Sequence, residues 1–593
     1  LPRSIEATGA SLSVVSGADL AARQTSTAGE AAASVPGVYL AGGAPGSPSS
    51  LFLRGAGSNQ TAVLVDGVRV NDPTLGGQFN FFDLGLENVE RVEILRGAAS
   101  SLYGSDAIGG VVNLVTRRGR GPLAGRALVE AGSFGHYRAG VAAGGEIGAF
   151  DFSYEGGYDR WRNDLHHHEY ESAAFAGNLG YAVAENLRLR LRGRTWSSRA
   201  EEPWDYPFGA EIPEDGNLDR TRDSWLFGLC VEFDPVENLT LSADLSFFRV
   251  SSLLENGPDA PGDPIELRSR SIAGVGTLLL AGRTALPEIA EWADLSLLFG
   301  GEAEDEESEN RVVTGYGPSP PIDRTVRDRA LFAVLEAVLG DAVTLSGGIR
   351  HDHDSFSGGV TNLSASALWR IEATGTRLRS NYGEGYRAPK PIEFDDPWVG
   401  NPDLAPERSA SFDAGVEQEF LGGDLVLGVT WFSLRTRDLI AWDPESMILE
   451  NYARARVRGA EFEVVGRPAE GLLLRAWFTR QHPKDLSGGG RLPGRPRWYG
   501  GGEARYTSGD LTLSLGVEAA GDHPGTGKID PDGDVRRHPG KRFLVALRAS
   551  YAATEWLSLH ARVENLLDQD WYATEVSPPG NGIGFVLGVE GVF

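Results

Sequence analysis

The segment NVERVEILRGAASSLYGSDAIGGVVNLVTRR, residues 88–118, folds two strand-like runs and a tight reversal into a short span. Val89, Val92 and Ile94, with the polar Arg91 between them, read as a strand, and Arg96-Gly97 ends it. Small residues follow over Ala98–Tyr103, then a Gly104-Ser105-Asp106 turn. The pair Gly109-Gly110 leads into the apolar, β-branched run Val111-Val112-Asn113-Leu114-Val115. Paired glycines ahead of a strand predict a positive φ or a close backbone approach. Taken alone, this is a compact β-rich module or an αβ turn of a soluble domain. The chain on either side decides between them.

Upstream, residues 1–120 carry short mixed elements. Helices are expected at Gly17–Arg23 and Thr27–Ser34, followed by the turn Val35-Pro36-Gly37. Strands are expected at Ser50–Arg54 and Ala62–Val65, and Asp66-Gly67 reads as a hairpin turn into Val68-Arg69-Val70. Downstream of Gly121 the helical period vanishes and alternation takes over. Leu187, Leu189 and Leu191 oppose Arg188, Arg190, Arg192 and Arg194. Leu239, Leu241, Ala243, Leu245 and Phe247 oppose Thr240, Ser242, Asp244 and Ser246. Leu557, Leu559, Ala561 and Val563 oppose Ser558, His560 and Arg562, and Ile583–Phe593 closes the chain in one register.

A soluble sandwich points its apolar face inward, which leaves a row of four arginines on the solvent side. A membrane barrel points the apolar face to lipid and the polar face to a wet lumen. The connections favour the barrel. Short turns recur at 184–186, 234–238, 340–341, 372–375, 422–424, 468–471, 508–510 and 553–555. Between them lie long polar segments: 199–222, 255–264, 305–324, 385–407, 481–497, 521–541 and 567–582. Short turns at one end and long loops at the other, counted as hairpins, predict about 22 antiparallel strands. A barrel that wide needs its lumen filled. The expected organisation is therefore an all-β membrane protein, with an α+β plug over 1–120 and a transmembrane β-barrel over 121–593.

Composition narrows the function. Lys+Arg 55 against Asp+Glu 82 gives a net charge of -27, which excludes nucleic acid as a natural partner. One cysteine, Cys230, forbids an intrachain disulfide and reads as a packed small side chain. No window of eighteen apolar residues makes a membrane helix. The start, Leu1-Pro2-Arg3, has no charged-then-apolar leader, so a processed chain or one extended upstream is expected. No P-loop, nucleophile motif or paired-cysteine zinc spacing appears, so neither an enzyme nor an organic cofactor is expected.

Several motifs together carry a family resemblance. In the first 120 residues they are Val35-Pro36-Gly37-Val38, Leu51-Phe52-Leu53-Arg54-Gly55, Val63–Arg69, Val92–Gly97 and Tyr103–Asn113. In the rest they are Tyr386-Arg387-Ala388-Pro389, Gly400–Glu407, Asn565-Leu566-Leu567-Asp568 and the terminal Phe593. The chain resembles the TonB-dependent outer-membrane receptors, and within them most the cobalamin (vitamin B12) transporters. The resemblance spans essentially the whole chain. It implies a multi-pass barrel in the outer membrane of a Gram-negative bacterium, in contact with lipid and lipopolysaccharide. It also implies uptake of a scarce, large ligand, with the plug remodelled by the TonB–ExbB–ExbD complex through an N-terminal TonB box. That box lies upstream of the plug and is not in this sequence, which begins past it. Cobalamin or another corrinoid is the leading cargo and a ferric siderophore or metal chelate the alternative. A non-transporting scaffold or assembly subunit that keeps the fold is the second alternative.

The resemblance also places candidate sites. Gly42–Ser50 and Asn71–Phe82 match loops that touch ligand, so Ser47, Ser49, Ser50, Gln78, Phe79 and Asn80 are expected to line the binding floor. Arg54, Arg69, Arg91 and Arg96 are expected to pair with wall carboxylates and seat the plug. The acidic loop 199–222 suits Ca²⁺, an oxygen-seeking ion. Trp204-Asp205-Tyr206 and Leu218-Asp219 resemble the family's calcium loop, and Asp164 is the candidate from its neighbour, making Asp164, Asp205 and Asp219 the expected ligands. Histidines intrude beside Asp164, at His166-His167-His168. With His351 and His353 they leave open a Zn²⁺- or Cu²⁺-scavenging receptor.

Overall fold

The computed structural model describes residues 9–42, 46–47, 49–163, 168–201, 217–257, 267–287, 291–340, 342–443, 446–524, 540–569, 571 and 580–593. The plug begins with β1 (Ser11–Ser16), α1 (Gly17–Ala22) and α2 (Ala28–Ala33). Both helices start on hydroxyl caps: Asp19 N–H donates to Ser16 Oγ at 3.2 Å and Glu30 N–H to Thr27 Oγ1 at 3.3 Å. Next come β2 (Val38–Ala41), β3 (Ser50–Leu53), β4 (Thr61–Val65) and β5 (Val68–Arg69). The Asp66-Gly67 turn between β4 and β5 has φ of 50° and 84°, the left-handed pair that a two-residue hairpin requires. The plug closes with β6 (Val89–Arg96), α3 (Ser100–Tyr103) and β7 (Gly110–Thr116).

These strands form a five-stranded sheet in the order β1-β6-β7-β4-β5, and β2-β3 form a separate pair. β7 runs parallel to β4 and antiparallel to β6. Val63, Val92, Ile94, Val112 and Leu114 are fully buried and form the centre of the plug core. At about 25 cal/mol per Å² of apolar area, each such side chain contributes roughly 1.5–3 kcal/mol.

The chain then runs from Thr116 to a wall strand at Ala124–Gly132, and 22 antiparallel strands close on themselves. The last, Gly584–Val592, pairs back with the first, from Val586 opposite Gly132 to Val592 opposite Arg126. Closure leaves no unpaired edge in the hydrocarbon, where an unsatisfied peptide group costs several kcal/mol. Alternation sorts the two faces. Leu191, Trp225, Phe227, Leu245 and Phe247 stand exposed on the outside, while Arg194, Arg222 and Ser246 are buried toward the lumen.

The polar segment 305–324 departs from the expected loop. Ala293–Thr314 is one 22-residue strand, and Ile322–Leu339 returns beside it. Its polar residues alternate: Glu304, Glu306 and Ser308 are buried, while Asp305 and Glu307 are exposed on the outer face. Loop-like composition here marks a strand whose inner face meets the plug and whose outer end stands clear of lipid. Most of the polar segments 199–222, 255–264, 521–541 and 567–582 lies outside the described residues.

Candidate functional site

The described plug residues around Ser49 and over Asn71–Phe82 lie at the end of the barrel that carries the long connections, beside Tyr170 and Arg220. They are stitched to each other. Ser49 donates to Asn80 Oδ1 from its backbone N–H at 3.2 Å and from its hydroxyl at 2.6 Å. Phe81 N–H donates to Ser49 Oγ at 2.9 Å. The Asn80 amide nitrogen is buried without a hydrogen-bond partner among the described residues. Ser47 is buried with its hydroxyl 3.4 Å from His168 Nε2. Ser50 is half-buried and opens β3, opposite Ala41. Gln78 is exposed. Phe79 does not offer a ring to the surface: it is 3% exposed and packs edge-on to Phe81, ring centres 5.2 Å apart. Of the six expected floor residues, Ser49 and Asn80 meet, Ser47 turns to the wall, Gln78 stands in solvent, and Phe79 belongs to the core.

The wall grips this floor with cations. Arg222 donates to Asp72 at 2.5 Å and Arg220 lies 3.4 Å from Asp83. Arg220 also donates to Gly46 O at 3.0 Å, and Gly46, at φ 90°, lies so near Tyr170 that a Cβ would sit 2.8 Å from that residue's own. Asp72 caps the turn that follows it, accepting from Thr74 N–H at 2.8 Å. On the other flank, Arg387 is fully buried between Glu393 at 2.8 Å and Glu407 at 3.0 Å. Lys390 meets Glu306 at 2.9 Å and the plug's Asp106 at 3.5 Å. Burial alone would push the Asp106 carboxyl up; Lys390, Arg69 and Arg387 outweigh it and hold it below the usual carboxylate range.

Deeper in, the expected seating pairs form. Arg54 bonds Glu461 through Nε at 2.8 Å and Nη2 at 3.0 Å, and Asp413 through Nη1 at 3.1 Å. Its guanidinium lies 5.0 Å from the Phe432 ring centre. Burial disfavours that charge, and Glu461 and Asp413 more than compensate, raising its pKa. Arg96 shares Glu461 at 3.1 Å and donates to Pro36 O at 2.9 Å. Arg69 lies 3.5 Å from both Asp106 and Glu304. Arg91 departs from expectation. It pairs with Glu93 on its own strand at 2.8 Å, because residue 91 lies on the half-covered face of β6, opposite the buried Val92, Ile94 and Arg96.

Of the expected calcium ligands, only Asp219 falls within the described residues. Asp164 and Asp205 lie outside the described residues, as do His166 and His167. Asp219 opens a wall strand and accepts from Arg199 at 3.2 Å. His351 sits on the outer face, bonded to Thr361 at 2.9 Å. Among the described residues no group of three or more His, Cys, Asp or Glu is arranged to hold a metal.

A second aromatic and basic cluster, buried between the plug and the wall, was not legible in advance. Tyr39 of β2 meets Tyr499 with ring centres 5.6 Å apart, and Arg542 sits 5.2 Å from the Tyr39 ring and 5.0 Å from that of Trp571. Arg495 stands 4.7 Å over Phe52 and donates to Gly55 O at 2.9 Å. Its only sequence signal is a scatter of aromatic and basic residues hundreds of positions apart.

A closed lipid-facing barrel, filled by a separate plug that charged pairs hold in place, is an outer-membrane transporter with a ligand-facing end and a blocked lumen. The chain matches the family model described as TonB dependent receptor-like, beta-barrel over residues 130–566, and that of the TonB-dependent Receptor Plug Domain over residues 4–111. It belongs to the TonB-dependent receptor family, and is a TonB-dependent protein of the Gram-negative outer membrane. It is 24% identical over 591 residues to the vitamin B12 transporter BtuB of Photobacterium profundum, covering 95% of this chain and 90% of that protein. The corresponding protein of Vibrio vulnificus is 25% identical over 597 residues, covering 96% and 89%. In fold the chain is similar to the ferric-catecholate import receptor Fiu of E. coli K12, at TM-score 0.82 and 17% identity over 99% of this chain and 98% of that one. It is also similar to the ferripyoverdine receptor of Pseudomonas aeruginosa, at TM-score 0.85 and 16% identity over 100% and 88%.

Proposed function

We propose that this transporter takes up cobalamin or another corrinoid, energised by the TonB–ExbB–ExbD complex. The observation that carries the reading is similarity along nearly the whole chain to two vitamin B12 transporters. The outer floor agrees with it. The exposed Gln78, whose amide both donates and accepts hydrogen bonds, suits a ligand rimmed with amide groups. Calcium held by Asp164, Asp205 and Asp219 would order the loops around such a ligand.

A ferric siderophore or other metal chelate is the second reading. Arg495 over the half-buried Phe52 favours it, because a guanidinium on an aromatic face suits an anionic, aromatic ligand.

Equilibrium binding of cyanocobalamin, with and without a calcium chelator, against a panel of ferric siderophores separates them. Submicromolar cyanocobalamin binding that weakens with chelator is expected. Binding of a ferric siderophore with none of cyanocobalamin would transfer the assignment to the second reading.

A further inference from the structure

The wall strands Glu407–Phe420, Leu425–Trp442, Leu449–Ala469 and Leu472–Asp485 stand side by side in the barrel. Their inner faces carry Glu407, Asp413 and Glu461, which are engaged by Arg387, Arg54 and Arg96. Their outer faces carry cations. Arg435 stands directly opposite Arg456, and Arg456 directly opposite Lys484. One pair nearer the long connections Arg408 faces Arg437, and one pair nearer the short turns Arg458 faces His482. The alternate residues Leu434, Thr436, Val457 and Gln481 are buried, which places these cations on the outside of the barrel.

Like charges directly opposite one another destabilise a sheet, so such rows call for an anion. The outward positions of these strands supply almost none. Among the described residues, one carboxylate pairs with the group, Asp438 at 3.9 Å from Arg437. Arg458 Nε is buried with no hydrogen-bond partner among them. Other sectors of the outer rim match their cations. Arg199 lies 3.2 Å from Asp219, Arg268 3.1 Å from Glu255, Arg311 2.6 Å from Glu309 and Arg329 2.7 Å from Asp305. The acids of the basic sector face inward instead and are spent on the plug.

Height on the barrel says what meets this face. Trp431, Ala460, Arg480 and Trp498 form one cross-strand row, with Phe462 opposite Phe478 in the next row toward the short turns. Both tryptophans and both phenylalanines are exposed on the outside. Such aromatics mark the boundary between hydrocarbon and headgroups. Arg458 and Arg456 lie two and four residues above Ala460, roughly 7 and 14 Å along the strand. That is the headgroup layer, at the end of the barrel that carries the long connections.

We propose that this face is a binding site for a phosphorylated glycolipid of the outer leaflet. Its phosphates meet Arg435, Arg456, Arg458 and Lys484, and its acyl chains lie along Phe412, Phe462 and Phe478. Guanidinium forks take phosphate oxygens two at a time, and a lysine adds a point charge. A phosphate that carries acyl chains engages the cations and the aromatic band together, which a soluble anion or an acidic protein above the membrane does not. The site rests on the outer-membrane location of the barrel and is independent of the cargo.

The test uses the full-length protein in neutral detergent, with lipid A carrying two phosphates as the probe and native mass spectrometry as the readout. The wild-type protein is expected to bind it about tenfold more tightly than dephosphorylated lipid A with the same acyl chains. This comparison needs no variant, and equal binding of the two lipids overturns the proposal. Combined Arg435→Gln, Arg456→Gln and Lys484→Gln are expected to weaken lipid A binding about tenfold. Combined Arg268→Gln, Arg311→Gln and Arg329→Gln, on the matched sector, are expected to leave it unchanged. Heat-modifiable mobility checks that both variants are folded. Equal loss in the two variants, or none in the first, overturns the proposal. Displacement of lipid A by millimolar inorganic phosphate would make this a free-phosphate site and overturn it. So would soluble polyglutamate binding that the first variant loses while lipid A binding persists, since that marks a surface for an acidic protein.

Discussion

Arg54 shows what one side chain does in this molecule and how far a sequence reveals it. An arginine in a stretch of small and apolar residues is conspicuous, and its pairing with wall acids is legible from that alone. The identity of the acids is not: Glu461 and Asp413 lie 407 and 359 positions away, beyond any local pattern. Arg91 looks the same in the sequence and pairs within its own strand, because a single register step decides which way a side chain faces. Phe79 reads as a ligand face and is core for a related reason, since an aromatic in a glycine-rich loop gives no sign of which side is covered. Arg54→Ala leaves two buried carboxylates facing the gap, and breaking such a pair costs about 3–5 kcal/mol. Arg96 stays on Glu461 and keeps the loss at the lower end of that range. Hydrogen exchange of β3 and β6 amides in the folded barrel should quicken by the matching factor, with wall strands unaffected. Exchange at the wild-type rate would show that the pair does not seat the plug.

At the scale of elements, segment 88–118 behaves as its glycines suggest, although the neighbour differs. A close approach to the curved wall is the natural expectation for a plug sheet. Instead, a Cβ on Gly110 would lie 2.0 Å from Leu95 O, and one on Gly109 2.4 Å from Ala56 Cβ, both within the plug. The wall supplies its own glycine for its contact with the plug, since a Cβ on Gly383 would lie 2.1 Å from Ala98 O. Gly110 also has φ 141°, which side chains rarely adopt. Gly110→Ala therefore strains the backbone and breaks the pairing of Gly110 with Arg96, for a cost of about 3 kcal/mol or more. Gly109→Ala meets the Ala56 methyl group and, at 3.3 Å, the Gln60 and Leu53 carbonyl oxygens, without a positive φ, at about 1–3 kcal/mol. Limited trypsin digestion of the folded protein should release plug fragments from the Gly110 variant much faster than from the Gly109 variant. The short elements of the plug are legible because caps and hairpin turns are local chemistry. The full length of the wall strands is not. Alternation fades where a strand rises clear of lipid and both faces turn polar, as in Ala293–Thr314.

The whole molecule inverts the usual arrangement of a β-protein, and that inversion is what the alternating leucines and arginines of Leu187–Glu201 encode. Leu191 is 53% exposed on the outer face while Arg192 points inward, donating to Asp66 O of the plug at 2.7 Å. Depth along the strand follows from the aromatic residues. Trp225, half exposed and opposite Thr195, marks the upper interface, so Leu191 lies within the hydrocarbon and Ser197, opposite Asp223, lies above it. An arginine on the lipid face costs about 2–4 kcal/mol near the midplane and about 0–1 kcal/mol near the interface. Leu191→Arg should therefore lower the folding stability of the barrel by the larger amount and Ser197→Arg by the smaller. Both positions share a strand, a face and the introduced arginine, so the new side chain is held fixed while its depth in lipid changes. Urea unfolding in lipid vesicles, followed by the heat-modifiable mobility of the folded barrel, reads the difference directly. Equal costs at the two positions would mean that this face does not meet a membrane, and the lipid-facing assignment of every alternating strand would fall with it.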